Sequence, residues 1–427
     1  MIIMERKRIY LCLAHMSEAR LEQKFIQEAF DTNWVVPLGP NVDGFEKDLE
    51  KFVCHTDSAE FFKRVVALSS GTAAVHLALV ACGIEPGDEV ITQSFTFCAS
   101  AHPVTYLGAT PVFVDSEKDS WNMDTELMEE AIKDRIAKTG RKPKAIVPVA
   151  LYGMPYRIDK IMAIAQRYGI PVVEDAAEGF GSRYKGQVLG TFGKYGVLSF
   201  NGNKMITTSG GGALITANDS EWREIMMYAT QYRESYPYYQ HEKIGYNYRM
   251  SNICAGIGRG QMTVAGEHLA HHRHVQKMYE ELLSDVNGIQ VHAQPNTGEF
   301  DSNYWLCTIT LSPDLRIKGQ ENAYKTIVTG AVGGAAGVIH AASKTTTDCQ
   351  PNDNVEALRE YMNQAYIEAR PLWKPMHKQP VYASAPAYVN GVSEAMFKVG
   401  MCLPSGPCVS DDDVRYIVET IKSAIQA

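Results

Sequence analysis

Three short stretches of this sequence set polar or reactive side chains at the ends of apolar runs. The first is Ser69-Ser70-Gly71-Thr72-Ala73-Ala74, between the strand-like run Val65–Leu68 and the helical run Val75–Ala81. Free backbone N–H groups and the helix dipole make such a junction a natural phosphate seat. Gly71 permits close backbone approach and Thr72 adds a hydroxyl, although a plain strand–turn–helix connection reads the same way. The second is Glu174-Asp175-Ala176-Ala177-Glu178, closing the run Ile170-Pro171-Val172-Val173. A carboxylate ending a buried strand is costly unless it meets a cation. A protonated pyridine nitrogen opposite Asp175 would be that cation and would keep such a cofactor an effective electron sink. The alternative for Asp175 is a helix N-cap.

The third stretch is Ser199-Phe200-Asn201-Gly202-Asn203-Lys204, followed by Thr207-Thr208-Ser209-Gly210-Gly211-Gly212. A lysine just past a buried strand can reach into a crevice, where a partly desolvated amine can form a Schiff base. A lone lysine is otherwise a solvated surface charge. The combination decides between these readings. A phosphate-type turn, an acidic strand end and a lysine strand end occur in that order, with Lys204 29 positions after Asp175. That is the layout of a fold-type-I enzyme using pyridoxal phosphate (PLP).

Such residues need a sheet to hold them. Continuous Val/Ile runs at 65–68, 89–92, 111–115, 145–149, 171–174, 195–200 and 212–216 alternate with helical patterns such as Thr125–Thr139 and Ile158–Tyr168. Runs without strict alternation predict strands covered on both faces, hence an α/β fold with a mostly parallel seven-stranded sheet. Ligands bind beyond the carboxyl ends of such strands. After Met250 the texture changes to a long helical stretch at 253–283, a strand at 304–311, a helix at 355–365 and an amphipathic tail at 411–427. A chain of 427 residues exceeds the usual size of a single core. The expected division is 1–265, an N-terminal segment plus the large cofactor-binding domain, and 266–427, a smaller α+β domain. The Gly-, Ala- and Thr-rich insertion near 316–354 reads as a surface loop or lid.

Composition narrows the function. A net charge of −8 without a long basic run argues against nucleic acid. Nine scattered cysteines without a C-x-x-C pair argue against a disulfide framework or a thiolate zinc site and suit a reducing compartment. Glu5, Arg6, Lys7 and Arg8 put charge where a secretory signal needs an apolar core, so a cytoplasmic protein is expected. Ile327–Ala342 is too short and too rich in Gly and Ala for a membrane span. His268, His271 and His272 share a helical face with metal-like spacing, yet no acidic or cysteine partner completes a set. That face is expected to be solvated, and no metal is predicted.

The motifs resemble a known family. Glu174-Asp175-Ala176-Ala177, Ser199 to Lys204, and Gly245-Tyr246-Asn247-Tyr248-Arg249-Met250-Ser251-Asn252 look like signatures of the DegT/StrS sugar-nucleotide aminotransferases. So do Phe95-Thr96-Phe97 and Gly108-Ala109-Thr110-Pro111-Val112-Phe113-Val114-Asp115. The likeness spans about 9–311 and resumes at 368–377. It implies an aspartate-aminotransferase-like large domain and a small C-terminal domain. Lys204 would carry the Schiff base and shuttle the proton, while Asp175 would pair with the pyridine nitrogen. Glu178 would sit near the cofactor ring, and Phe97 would stack on that ring. Thr72, Ala73 and Ser199 would hold phosphate beside Gly71, joined by Asn247 from a second subunit. A homodimer with shared active sites follows.

The family's usual reaction moves an amino group from an amino acid, commonly L-glutamate, to a nucleotide-linked 4-keto sugar, in making amino sugars for surface glycans. Leu13-Ala14-His15-Met16, residues 33–40 and Trp373-Lys374-Pro375-Met376-His377 are similar to the branch acting on UDP-linked acetamido 4-keto sugars. Some of these residues are expected to contact the nucleotide sugar. A dehydrating branch carries His at the lysine position, and Lys204 argues against it. The alternatives are another fold-type-I enzyme, such as a keto-cyclitol aminotransferase, and a non-catalytic regulatory homologue.

Overall fold

The computed structural model describes residues 7–54, 62–324 and 349–426. All seven apolar runs form strands: β1 (Arg64–Leu68), β2 (Glu89–Gln93), β3 (Thr110–Val114), β4 (Ala145–Val147), β5 (Val173–Asp175), β6 (Tyr195–Ser199) and β7 (Gly212–Thr216). Ladders give the orders β3-β2-β4 and β1-β7-β6-β5. Parallel bridges Ile146–Val172 and Val149–Asp175 join the two halves, so one sheet runs β3-β2-β4-β5-β6-β7-β1. It is parallel except for β7, which is antiparallel to both neighbours. A short eighth strand, Ala387–Tyr388, adds parallel to β3 from far along the chain. Two residues are too few to leave a period in the sequence.

The helices at Thr125–Thr139 and Ile158–Tyr168 match the sequence reading. The helix after β1, α1 (Gly71–Ala81), begins four residues before the apolar run, because the Ser70 hydroxyl accepts from the Ala73 N–H and fixes the first turn. The long stretch at 253–283 is two helices, α2 (Asn252–Met262) and α3 (Ala265–Leu283). Helices Leu21–Asp31 and Pro40–Val53 pack on α2. Glycines allow that approach: a Cβ at Gly260 would lie 2.5 Å from the Glu22 nitrogen.

A second sheet has the antiparallel order Ile289–Val291, Cys307–Leu311, Gly400–Leu403, Arg370–Pro371. Its core gathers Val275, Tyr279, Leu311, Met401 and Ile417 around it and draws in Ile9 from the other end of the chain. The histidine face is not solvated. His268 and His272 are buried, with their Nδ1 atoms 3.2 Å and 3.1 Å from the carbonyl oxygens of Met205 and Tyr304. Imidazole can pair with a backbone carbonyl and pack as an apolar ring, which a count of polar residues overlooks. No described helix is long and apolar enough to cross a membrane. Ile327–Ala342, and residues 325–348 of the 316–354 insertion, lie outside the described residues.

Glu174 and Asp175 are neighbours on β5 and point to opposite sides of the sheet. Glu174 is fully buried on the structural side. Its carboxyl accepts from the N–H groups of Gly190 (3.0 Å), Phe192 (2.7 Å) and Gly193 (2.6 Å), and from the Tyr156 hydroxyl (2.5 Å). Glu174→Gln presents an NH₂ to that ring of donors and strands at least one of them. The variant should lose roughly 1–3 kcal/mol in urea unfolding. An unchanged midpoint and slope would show that the ring does not hold the loop at 190–193.

Candidate active site

The carboxyl ends of β1, β5 and β6 open on one cavity of about 330 Å³. Of the nine residues singled out from sequence, Gly71, Thr72, Phe97, Asp175, Glu178, Ser199 and Lys204 line it. Ala73 lies just behind, its N–H engaged by Ser70 at 3.0 Å. Asn247 does not reach this cavity. It is exposed, bridged to Thr230, on a segment that also exposes Tyr239 (78%) and Ile244 (82%). A larger cleft of about 1020 Å³, between residues 118–121 and 288–313, contains none of the expected residues, so chemistry and not size identifies the site.

The turn after β1 is tight enough to present backbone. A Cβ at Gly71 would lie 2.9 Å from that of Ser199, and one at Gly212 would lie 2.4 Å from the Gly71 nitrogen. The three segments therefore touch through glycine. The first-turn N–H groups of Gly71 and Thr72 bond no acceptor among the described residues. With the hydroxyls of Thr72 and Ser199 beside them, they suit a dianionic phosphate.

At the other end of the cavity sit three ionisable groups. Asp175 accepts from the Ser100 hydroxyl (2.6 Å) and the Ala177 N–H (3.2 Å). Glu178 accepts from the Tyr152 N–H (2.7 Å) and faces the Lys204 amine at 3.4 Å. Burial pushes both carboxyls up from their ordinary range, because the charged form loses its water. Ser100, the Ala177 N–H and Lys204 oppose that shift at Asp175. At Glu178, Lys204 and the Tyr152 N–H oppose it. A buried carboxylate with so few donors fits a cationic ring nitrogen as its missing partner. Phe97 is 49% exposed, with its ring 5.3 Å from that of Trp373, so a flat face is free to stack. The residues present thus fit a phosphorylated, protonated pyridine aldehyde.

Some site residues carry no sequence signal. Ser100 follows an ordinary Cys98-Ala99 pair, and only the fold brings it to Asp175. Trp305 approaches from beyond residue 300, and the Lys204 amine lies 4.0 Å from its ring centre. Trp373 lines both this cavity and an adjoining one of about 370 Å³ that Lys374 also lines. His15 and Met16 line a separate pocket beside Thr263 and Glu267, not this one. The segment at 33–40 is tied to the start of α2, where Asn252 bonds the carbonyls of Trp34 and Val36.

Comparison with known proteins agrees with this chemistry. A model of the DegT/DnrJ/EryC1/StrS aminotransferase family matches residues 17–323 and 320–422. The chain is 40% identical over 419 residues to EpsN of Bacillus subtilis (strain 168), a provisionally assigned pyridoxal phosphate-dependent aminotransferase, with 97% of this chain and 95% of that one covered. It is 32% identical over 400 residues to GDP-perosamine synthase of Escherichia coli O157:H7, covering 94% of each. A crystal structure of a DegT DnrJ EryC1 StrS aminotransferase from Brucella abortus superposes with a TM-score of 0.78 at 26% identity, covering 95% of both chains.

Ser100 gives the site its own test. Ser100→Ala removes the shorter of the two hydrogen bonds to Asp175. The cofactor-free variant should unfold at lower temperature at pH 7, by the equivalent of roughly 1–3 kcal/mol. That bond favours the ionised carboxyl, so its contribution is present at high pH and fades as Asp175 protonates. The gap between variant and parent should therefore narrow on acidification. A gap that stays constant or widens would mean that Ser100 does not serve the carboxylate.

Proposed function

The chain belongs to the DegT/DnrJ/EryC1/StrS aminotransferase family, and from that premise we propose that it moves an amino group from L-glutamate to the 4-keto group of a nucleotide-linked sugar, with pyridoxal phosphate as cofactor. The observation that carries the reading is the meeting of Lys204, Asp175 and the Gly71–Thr72 turn around one cavity. The cofactor supplies an aldehyde and a protonated ring that accepts the electrons of a broken C–H bond.

The chain's own residues do the rest. Lys204 would hold the aldehyde through its amine, and the same amine would carry the proton lost by the donor carbon in each half of the reaction. Asp175 would hold the ring nitrogen protonated, a pairing that would offset the cost of burying that carboxylate. Glu178 would sit by the ring's phenolic oxygen, its carboxylate facing the Lys204 amine at 3.4 Å. The hydroxyls of Thr72 and Ser199 and the N–H groups of Gly71 and Thr72 would hold phosphate, with Ala73 in the same first turn, and Phe97 would cover the ring. Asn247 completes the phosphate site of a second copy of the chain. Its exposure and the exposed Tyr236, Tyr238, Tyr239 and Ile244 near it support a homodimer with shared sites. The division into 1–265 and 266–427 is proposed on the core around the second sheet, which comes from beyond residue 274 apart from Ile9, while Trp305 and Leu372 pack into the first core. All nine cysteines are free thiols, which supports a cytoplasmic setting.

Lys204 and Asp175 are tested separately. Borohydride reduction of the loaded protein should fix the pyridoxyl group on the peptide containing Lys204, as read by mass spectrometry. Lys204→Ala should lose roughly a thousandfold or more in turnover while keeping some cofactor. Asp175→Asn should lose on the order of a hundredfold, since a neutral ring withdraws electrons poorly. Wild-type turnover in either variant ends that residue's role.

Substrate class needs its own assay. Amine transfer from L-glutamate should be detected with UDP-linked acetamido 4-keto sugars, beside GDP-linked 4-keto sugars and keto-cyclitols as comparators. Transfer to a keto-cyclitol with none to any nucleotide sugar would overturn the substrate class and leave the cofactor assignment intact.

A further inference from the structure

Trp305 is the largest side chain that the described fold buries completely, at 1% exposure. It is also fixed in orientation. Its indole N–H donates to the Asn203 carbonyl at 2.7 Å, one residue before Lys204. Its backbone N–H donates to Asn303 Oδ1 at 2.8 Å, and its carbonyl accepts from the Ser405 hydroxyl at 2.9 Å. Held this way, the ring lies with its centre 4.0 Å from the Lys204 Nζ, while Glu178 Oε1 is 3.4 Å from the same nitrogen. The amine is gripped between an anion and an aromatic face. An ammonium over the negative face of an indole is attracted to it, most strongly where water is scarce.

We propose that Trp305 is a catalytic residue whose indole face cradles the ammonium that Lys204 becomes while it carries the substrate's proton. The proposal rests on the reading of Lys204 as the proton-carrying amine. In the first transfer the donor's C–H bond breaks, its electron pair passes into the cofactor ring, and an N–H bond forms on Nζ. In the second, that N–H bond breaks and the proton is delivered to the cofactor's aldehyde-derived carbon. Between the two, Nζ is positive and not bonded to the cofactor, so something must keep it within reach. Glu178 supplies charge. Trp305 supplies a surface that attracts the ammonium without competing for its proton, since an indole face has no basic lone pair. Because Trp305 leads into the strand Cys307–Leu311 of the second sheet, it also fixes the catalytic amine against that sheet.

The test weakens the face without changing its shape, by replacing Trp305 alone with tryptophans carrying one to four fluorine atoms on the benzo ring. Fluorine drains the negative potential of the face and leaves the N–H and the volume nearly intact, so the fold is kept. Two readouts are taken. In cofactor-free protein, acetic anhydride should acetylate Lys204 faster as fluorination increases, roughly three- to tenfold at the full series, measured by mass spectrometry of its peptide. In the loaded enzyme, stopped-flow with L-glutamate should show the half-reaction rate constant falling by a similar factor with the glutamate Kd unchanged. A flat acetylation series would show that the face does not hold the amine. A graded acetylation series with a flat rate constant would show contact without catalysis, and either result overturns the proposal. If Lys204→Ala turns over normally, the fault lies in the assignment of Lys204 and not in Trp305.

Discussion

Two carboxyls and one amine share a small cavity from which most water is excluded, and the rest of the fold answers to that constraint. Asp175 and Glu178 are almost wholly buried, and the Lys204 side chain is 14% exposed. Removing water from an ionised carboxylate costs several kcal/mol unless charge and hydrogen bonds replace it. The replacements present are few: one hydroxyl and one N–H for Asp175, one N–H and one shared ammonium for Glu178. Contrast Glu174, next in sequence, which collects three N–H groups and a phenol. Two adjacent acids in one strand are treated oppositely. The well-supplied one binds the scaffold together, and the undersupplied one is left with capacity for a ligand.

That contrast comes from the geometry of the strand. Side chains alternate across the sheet, so Glu174 and Asp175 cannot face the same way. The side that receives Glu174 also receives the loop at 190–193, which wraps the carboxyl with backbone. The side that receives Asp175 receives the turn at 69–72 and the lysine segment instead. Those two segments meet at glycine, where a single added methyl at Gly212 would collide with backbone. The turn at 69–72 and the amine are thus fixed relative to one another by main-chain contact, which is less variable than side-chain packing.

Much of this was legible because it is local. Each of the seven strands is a short Val/Ile run, and the end of a run is visible in the sequence itself. Gly71, Asp175 and Lys204 follow from that, as do the helices whose period is clean, such as Thr125–Thr139. What was illegible depends on contacts between distant segments. Ser100 earns its place only through Asp175, 75 residues away. Trp305 is set by a carbonyl 102 residues earlier. The strand at 387–388 exists because β3 offers an edge to it. By residue type alone the histidines of α3 form a polar face. His268 and His272 turn inward onto carbonyls that no helical periodicity could announce.

The two sheets meet at the Lys204 amine, and this explains why the second core is bound so closely to the first. The lysine segment comes from the large sheet and the indole beside it from the small one, joined by the Asn203 carbonyl. Glu178 is tied in as well, because the side-chain amide of Asn303 donates to its backbone carbonyl at 2.8 Å and to that of Phe180 at 2.9 Å. Asn303 and Trp305, just ahead of the second-sheet strand Cys307–Leu311, thus each bond a backbone carbonyl near the amine. Any shift of the small sheet against the large one must move the surroundings of Lys204. The geometry of the proposed site and the packing of the two cores are in this way a single property of the molecule.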